Sequence, residues 1–177
     1  NAIEEVMITI VLALVIVLGV IYAFLGSLRS VIIPAVAVPL SLVGTFMGML
    51  ALGFSINLLT LLAMVLAIGI VVDDAIIMLE NIQRLMENGM SRMQASIQGA
   101  RQLTGPIIVM STTLVAVFVP IGFIGGLTGT LFVEFAFTLA CAVILSGVIA
   151  LTLTPMMCSR ILNTSGDAKR PKFELWL

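Results

Sequence analysis

The chain has 177 residues, of which 61% are hydrophobic and only 10% charged, with no histidine and a net charge of −1. A soluble domain carries roughly 25% charged residues, so the composition excludes an ordinary soluble fold, and the near-neutral charge gives no reason to expect nucleic-acid binding. Cys141 and Cys158 stand 17 residues apart in or beside one apolar run. On a single helix they would lie about 25 Å apart, which excludes a disulfide within it, and the spacing fits no metal site. Both read as small apolar helix residues.

The start, Asn1-Ala2-Ile3-Glu4-Glu5, has no basic leader and no cleavage signal, and leads directly into a hydrophobic run. The chain therefore reads as a piece of something longer. A helix needs about 20 apolar residues to cross the hydrocarbon core. Five stretches qualify: residues 6–25, 31–52, 57–79, 103–124 and 131–158. Continuous apolar runs argue against a barrel, whose strands alternate polar with apolar. The expected fold is all-α, a polytopic transmembrane bundle of five spans filling residues 1–162. Residues 163–177 follow as a cytoplasmic segment. There the turn at 163–167 precedes a mixture of cations with Phe173, Leu175 and Trp176, a composition suited to lying on the membrane surface.

Orientation follows from the cations. Arg29 separates spans one and two; Arg84, Arg92 and Arg101 separate spans three and four; Arg160, Lys169, Arg170 and Lys172 follow span five. Those are all eight cations, and the loops at 53–56 and 125–130 carry none. One side is therefore cytoplasmic throughout, with a periplasmic N-terminus and a cytoplasmic C-terminus.

Between spans three and four, Gly89 suits the left-handed residue past a helix end. Ser91 can cap a short amphipathic helix with Met93, Ile97 and Ala100 on its apolar side, lying at the cytoplasmic interface. An ordinary polar connector is the alternative. Gly44-x-x-x-Gly48 in span two and Ser146-x-x-x-Ala150 in span five are small-residue spacings that allow close helix approach. Pro34, Pro39, Pro106, Pro120 and Pro155 sit near span ends or kinks, which membrane helices tolerate.

The third span carries the most informative residues, Asp73 and Asp74, between Ile68-Gly69-Ile70-Val71-Val72 and Ala75-Ile76-Ile77-Met78-Leu79. An ionised Asp in mid-membrane costs about 2.5–3.5 kcal/mol on insertion scales. Charge on one opposes charge on its neighbour, so the pair titrates as a unit. Arg84, the nearest cation along the chain, is ten residues from Asp74, about 15 Å on a helix. The pair must stay partly protonated or meet a cation from outside this sequence, and either outcome makes it a proton-binding site. Gly69, one turn before Asp73, leaves room beside that carboxyl for water or a helix. Ala63 and Ala67 do the same on the Asp74 side. Ser111, Thr112 and Thr113 of span four are hydrogen-bond partners if the two helices touch. A register-fixing polar network is the bland reading, but one Asn or Ser would do that at lower cost. A metal site lacks a His or a third acid. Glu80 is expected to pair with Arg84 at i,i+4, and Glu134 to be solvated near the outer boundary. No nucleophile–base pair, metal cluster or phosphate loop points to an enzyme.

Phe54-Ser55-Ile56-Asn57-Leu58-Leu59-Thr60, Leu66-Ala67-Ile68-Gly69-Ile70-Val71-Val72-Asp73-Asp74-Ala75-Ile76 and Glu80-Asn81-Ile82 together resemble the fourth transmembrane helix of resistance–nodulation–division transporters. Val38-Pro39-Leu40, Gly44-Thr45-Phe46, Ser111-Thr112-Thr113, Phe118-Val119-Pro120, Gly125-Gly126 and Leu153-Thr154-Pro155-Met156-Met157-Cys158 are also similar to that family, so the resemblance runs from about residue 5 to 162. The doubled aspartate is most similar to the hydrophobe and drug exporter branch; a heavy-metal branch typically keeps one acid there, and protein-secretion and lipid-transport relatives differ around it. The resemblance implies helices two to six of a twelve-helix, homotrimeric drug/proton antiporter of the bacterial inner membrane. It implies Asp73 and Asp74 as the proton relay, for which the residues themselves offer Gly69, Thr112 and Thr113 as relay support. It implies no cofactor beyond the proton-motive force. Its implied partners are the lipid bilayer, a second helical half supplying a buried lysine to the aspartates, periplasmic porter domains, a periplasmic adaptor and an outer-membrane channel. The family's drug pockets lie in the porter regions, so no substrate-binding residue carries over. Two alternatives remain, a structural or assembly module of the membrane, and a heavy-metal or lipid exporter of the same superfamily.

Overall fold

A computed structural model of the chain describes residues 2–162; the surface segment expected at 163–177 lies outside the described residues. Five helices follow one another: α1 (Ala2–Leu25), α2 (Leu28–Ala51), α3 (Leu58–Glu87), α4 (Arg92–Phe118) and α5 (Leu127–Ile161). A 3-10 turn at Val119–Phe123 extends α4. No strand occurs among the described residues. Four helices are long and apolar enough to cross a membrane, and α1 contributes the shorter apolar stretch Met7–Ala23. Large apolar side chains line the outer faces, among them Val11 and Val15 of α1, Val43 and Met47 of α2, and Val109 and Val117 of α4. A water-soluble monomer does not expose apolar surface on this scale, whereas a polytopic membrane bundle does.

Local chemistry sets the helix ends. Asn57 begins α3 with a capping box: its Oδ1 accepts from the Leu59 and Thr60 amides at 2.9 Å, and Thr60 Oγ1 accepts from the Asn57 amide at 2.9 Å. Two N–H groups that a helix start leaves unpaired are thereby satisfied. At the other end the Gly89 amide donates to Met86 and the Met90 amide to Leu85, closing α3 where Gly89 adopts φ +92°. Ser91 then caps α4, accepting from the Gln94 amide at 3.4 Å.

Here the structure departs from expectation. The amphipathic stretch after Ser91 is not a separate interfacial helix; it continues without a break into the fourth span as α4. Nothing between Arg101 and Thr104 stops a helix. Pro106 removes only the bond that would reach the Gln102 carbonyl, a loss that polar surroundings at a span end tolerate. The packed face also differs. Met93 and Ile97 are 63% and 49% exposed, while Ala95, Ser96 and Gly99 are buried. A Cβ at Gly99 would stand 2.7 Å from Ile82 Cγ1. The small residues thus seat α4 on the last turns of α3, because tight backbone approach yields more packing in an apolar medium than large side chains do.

α3 and α5 form the centre of the bundle. α3 touches all four other helices, α5 touches α2, α3 and α4, and among the described residues α1 rests on α2 and α3. The spacing at Gly44 and Gly48 does mark a tight crossing. A Cβ at Gly44 would sit 3.1 Å from Leu145 Cδ1, and one at Gly48 would overlap Cys141 Sγ. Ala63 and Ala67 of α3 pack against Leu139 and Ala142 of α5. Both cysteines are free, Cys158 within the core beside Met78, Leu79 and Ile82.

Candidate functional site

Successive helix residues point about 100° apart, and that rotation separates the two aspartates. Asp74 falls on the side of α3 that packs against α5 and is 3% exposed. Asp73 falls on an exposed stripe with Leu62, Leu66, Gly69, Ile77 and Glu80. Gly69 has open space where a Cβ would stand, so this stripe is clear one turn before Asp73.

Among the described residues the buried carboxylate has one hydrogen-bond partner. Ser146 of α5, itself 1% exposed, donates its Oγ to Asp74 Oδ2 at 2.5 Å. The approach of Ala63 and Ala67 to Leu139 and Ala142, about two turns away, lets α5 come near enough for a side chain as short as serine to reach. Val71, Val72, Ala75 and Met78 complete a buried apolar surround on α3. No Lys or Arg among the described residues reaches either aspartate. Arg84 donates to Asn81 Oδ1 at 2.8 Å, in place of the pair expected with Glu80, and Arg92 donates to the Leu162 carbonyl at 3.0 Å.

The hydroxyls expected from the fourth span lie elsewhere. Thr113 donates to its own helix at the Val109 carbonyl, 2.8 Å away, and is exposed. Thr112 is exposed on the wall of a cavity of about 300 Å³ between α4 and α5, with Ser111, Ile144, Gly147 and Val148. α4 meets α3 near the basic end instead, where Asn81 donates to Gln102 Oε1 at 3.1 Å. In the sequence Ser146 stands out only as half of a small-residue spacing. Its signal as a donor is the hydroxyl within an otherwise apolar stretch.

A second polar cluster closes the opposite end of α3 and α5. Glu134 is half-buried rather than solvated. It accepts from Asn57 Nδ2 and from Ser55 Oγ, the latter at 3.1 Å to Oε2 and 3.3 Å to Oε1. The Ser55 amide approaches Glu134 Oε1 at 3.4 Å. No group of three His, Cys, Asp or Glu side chains comes together among the described residues.

Known proteins share this sequence closely. A model of the AcrB/AcrD/AcrF family matches residues 1–177. An uncharacterized transporter of Haemophilus influenzae is 52% identical over 165 residues, covering 93% of this chain and 16% of the relative. Multidrug resistance protein MdtC of Enterobacter sp. (strain 638) is 50% identical over 171 residues, covering 97% and 17%. MdtC of Escherichia coli O139:H28 is 50% identical over 164 residues, covering 93% and 16%. The chain thus spans about one sixth of the length of these curated relatives.

Proposed function

The chain belongs to the AcrB/AcrD/AcrF family of resistance–nodulation–division efflux transporters, and on that premise we propose that it is the half-bundle carrying the proton relay of a proton-coupled exporter. The observation that carries this reading is the division of labour between adjacent acids. Asp74 is buried and held by Ser146, while Asp73 opens onto a stripe that is exposed among the described residues. A carboxylate at lipid depth is costly, and a carboxylate pair without a cation more so. The exposed stripe on α3 is where a lysine from the rest of the transporter would face Asp73. A proton arriving from the outer side weakens that attraction, the helices repack, and the change is passed to the porter region. One charge moved through 100 mV supplies about 2.3 kcal/mol, a scale comparable with allosteric couplings of about 1–3 kcal/mol.

In this reading the basic ends of the helices are cytoplasmic by the positive-inside rule, the membrane is the bacterial inner membrane, and the driving force is the proton-motive force with no cofactor. The transporter works as a homotrimer with a periplasmic adaptor and an outer-membrane channel. Its cargo is of the drug class that the name of MdtC indicates for that relative. Gly69 serves by keeping the Asp73 stripe open. Thr112 and Thr113 support the relay only through a rearrangement that brings α4 closer to Asp74.

The test is Asp73→Asn and Asp74→Asn in the full-length transporter, with transport and surface abundance measured together. Both variants are expected at normal abundance with transport abolished; normal pumping by both refutes the reading. The Asp74–Ser146 bond also favours a second reading, in which the acid fixes helix register and transport is driven elsewhere. In that case Asp74→Asn lowers trimer stability and leaves the pH dependence of transport unchanged.

A further inference from the structure

The Glu134 cluster has no role in the mechanism above, yet its donors and acceptors match in an unusual way. Asn57 spends its side-chain oxygen on the α3 cap, accepting from the Leu59 and Thr60 amides. Its Nδ2 is thereby fixed as a donor, and it points at Glu134 Oε2 and Ser55 Oγ. Ser55 adds a hydroxyl and an amide donor. Three donors converge on one carboxylate, which is acceptor-only while ionised. Protonation places an O–H among them. The Ser55 hydroxyl can rotate to accept it, but Asn57 cannot, because turning its amide would surrender the helix cap.

α3 and α5 run in the same direction and are pinned at two levels: Glu134 to Asn57 and Ser55, and Ser146 to Asp74. Along α5 the two pins stand 12 residues apart, about 18 Å. Building on the proton-coupled reading, we propose that Glu134 is a positioning residue, a latch that holds α5 tightly to the start of α3 while ionised, loosens when protonated, and so sets the register at which Ser146 meets Asp74. Among the described elements packed on α5, no charged group stands at the Glu134 end. Of the described elements packed on α5, α2 carries only Arg29 and α4 only Arg92 and Arg101, all near the basic end. The charges of α3 begin at Asp73, and the 3-10 turn has none. Glu4 and Glu5 lie at the start of α1, which makes no contact with α5 among the described residues.

The experiment is hydrogen exchange by mass spectrometry on the full-length transporter in lipid nanodiscs, following peptides that cover residues 52–62. Exchange is compared between about pH 8 and about pH 3, a range whose acid limit lies below the ordinary glutamate value of about 4.3, and corrected for intrinsic rates. In the wild type, protection of the Ser55 amide, which donates to the carboxylate, is expected to fall about tenfold on acidification, the scale of one hydrogen bond to a charged group, while the first turn of α3 keeps its Asn57 cap. Glu134→Gln, which cannot titrate, should show no such fall, and its transport should lose part of its dependence on outer pH. Wild-type protection that is flat across the range overturns the latch, as does a Glu134→Gln profile that follows the wild type. The wild-type series decides the question even where the variant does not fold. The outcome is separable from the relay reading: pumping by Asp73→Asn and Asp74→Asn removes the relay without altering the exchange result, and flat exchange with both variants inactive removes only the latch.

Discussion

Replacing Ser146 by alanine deletes a single oxygen, and its consequence can be worked from the geometry. The Oγ donates to Asp74 Oδ2 at 2.5 Å between groups that are 1% and 3% exposed, so water cannot readily substitute. Interhelical hydrogen bonds in membranes average about 0.6 kcal/mol, with a maximum near 1.7. A buried pair whose acceptor is a carboxylate belongs toward the upper end. Ser146→Ala is therefore expected to cost about 1–2 kcal/mol of helix–helix stability and to move the pH midpoint of transport by up to about one unit, the equivalent of about 1.4 kcal/mol. Ser146→Thr keeps the donor and should retain most of the wild-type profile. The assay is a double-mutant cycle with Asp74→Ala read by reversible unfolding in bicelles, with the pH dependence of transport read on Ser146→Ala alone. Independent sites add within about 0.3–0.5 kcal/mol. A coupling energy inside that margin, with an unshifted pH profile, refutes the claim that the two side chains act together.

Two further predictions rest on close approaches. Gly48→Ala forces a Cβ into Cys141 Sγ and should cost about 1–3 kcal/mol of thermal stability by overpacking; adding Cys141→Ala should restore most of it, and a Cys141→Ala that rescues nothing would locate the strain elsewhere. Asn57→Asp keeps a capping oxygen but sets a second carboxylate against Glu134. It should lower the melting temperature at neutral pH, and Glu134→Gln should reverse the loss; equal melting temperatures for Asn57→Asp alone and with Glu134→Gln would show that the two groups do not meet.

Much of the bundle is legible in the residues because lipid imposes a length on each apolar run and because Gly89 and Ser91 punctuate the third and fourth helices. The aspartates stand out for the same reason, since charge at lipid depth is expensive. What is not legible is which face of a helix is packed. In water, apolar residues mark the buried side, but in a bilayer both sides are apolar. Met93 and Ile97 therefore look like the packed face of α4, while Ala95, Ser96 and Gly99 are the residues that seat it. The Asp74 donor is hidden for a related reason. Ser146 lies 72 residues from its partner, and only the crossing of α3 and α5 brings the two together. Glu134 reads as a solvated boundary acid until Asn57, committed to its cap, turns a donor toward it.

Within seven residues α5 meets three different helices: Cys141 faces Gly48 of α2, Ser146 binds Asp74 of α3, and Gly147 lies against Ser111 of α4. A shaft with three followers cannot turn for one of them alone. Any rotation of α5 that frees Asp74 from Ser146 also carries Cys141 away from Gly48 and Gly147 away from Ser111. An event at one carboxyl group is thereby written onto the spacing of three neighbours at once, with no need for a chain of intermediates between them.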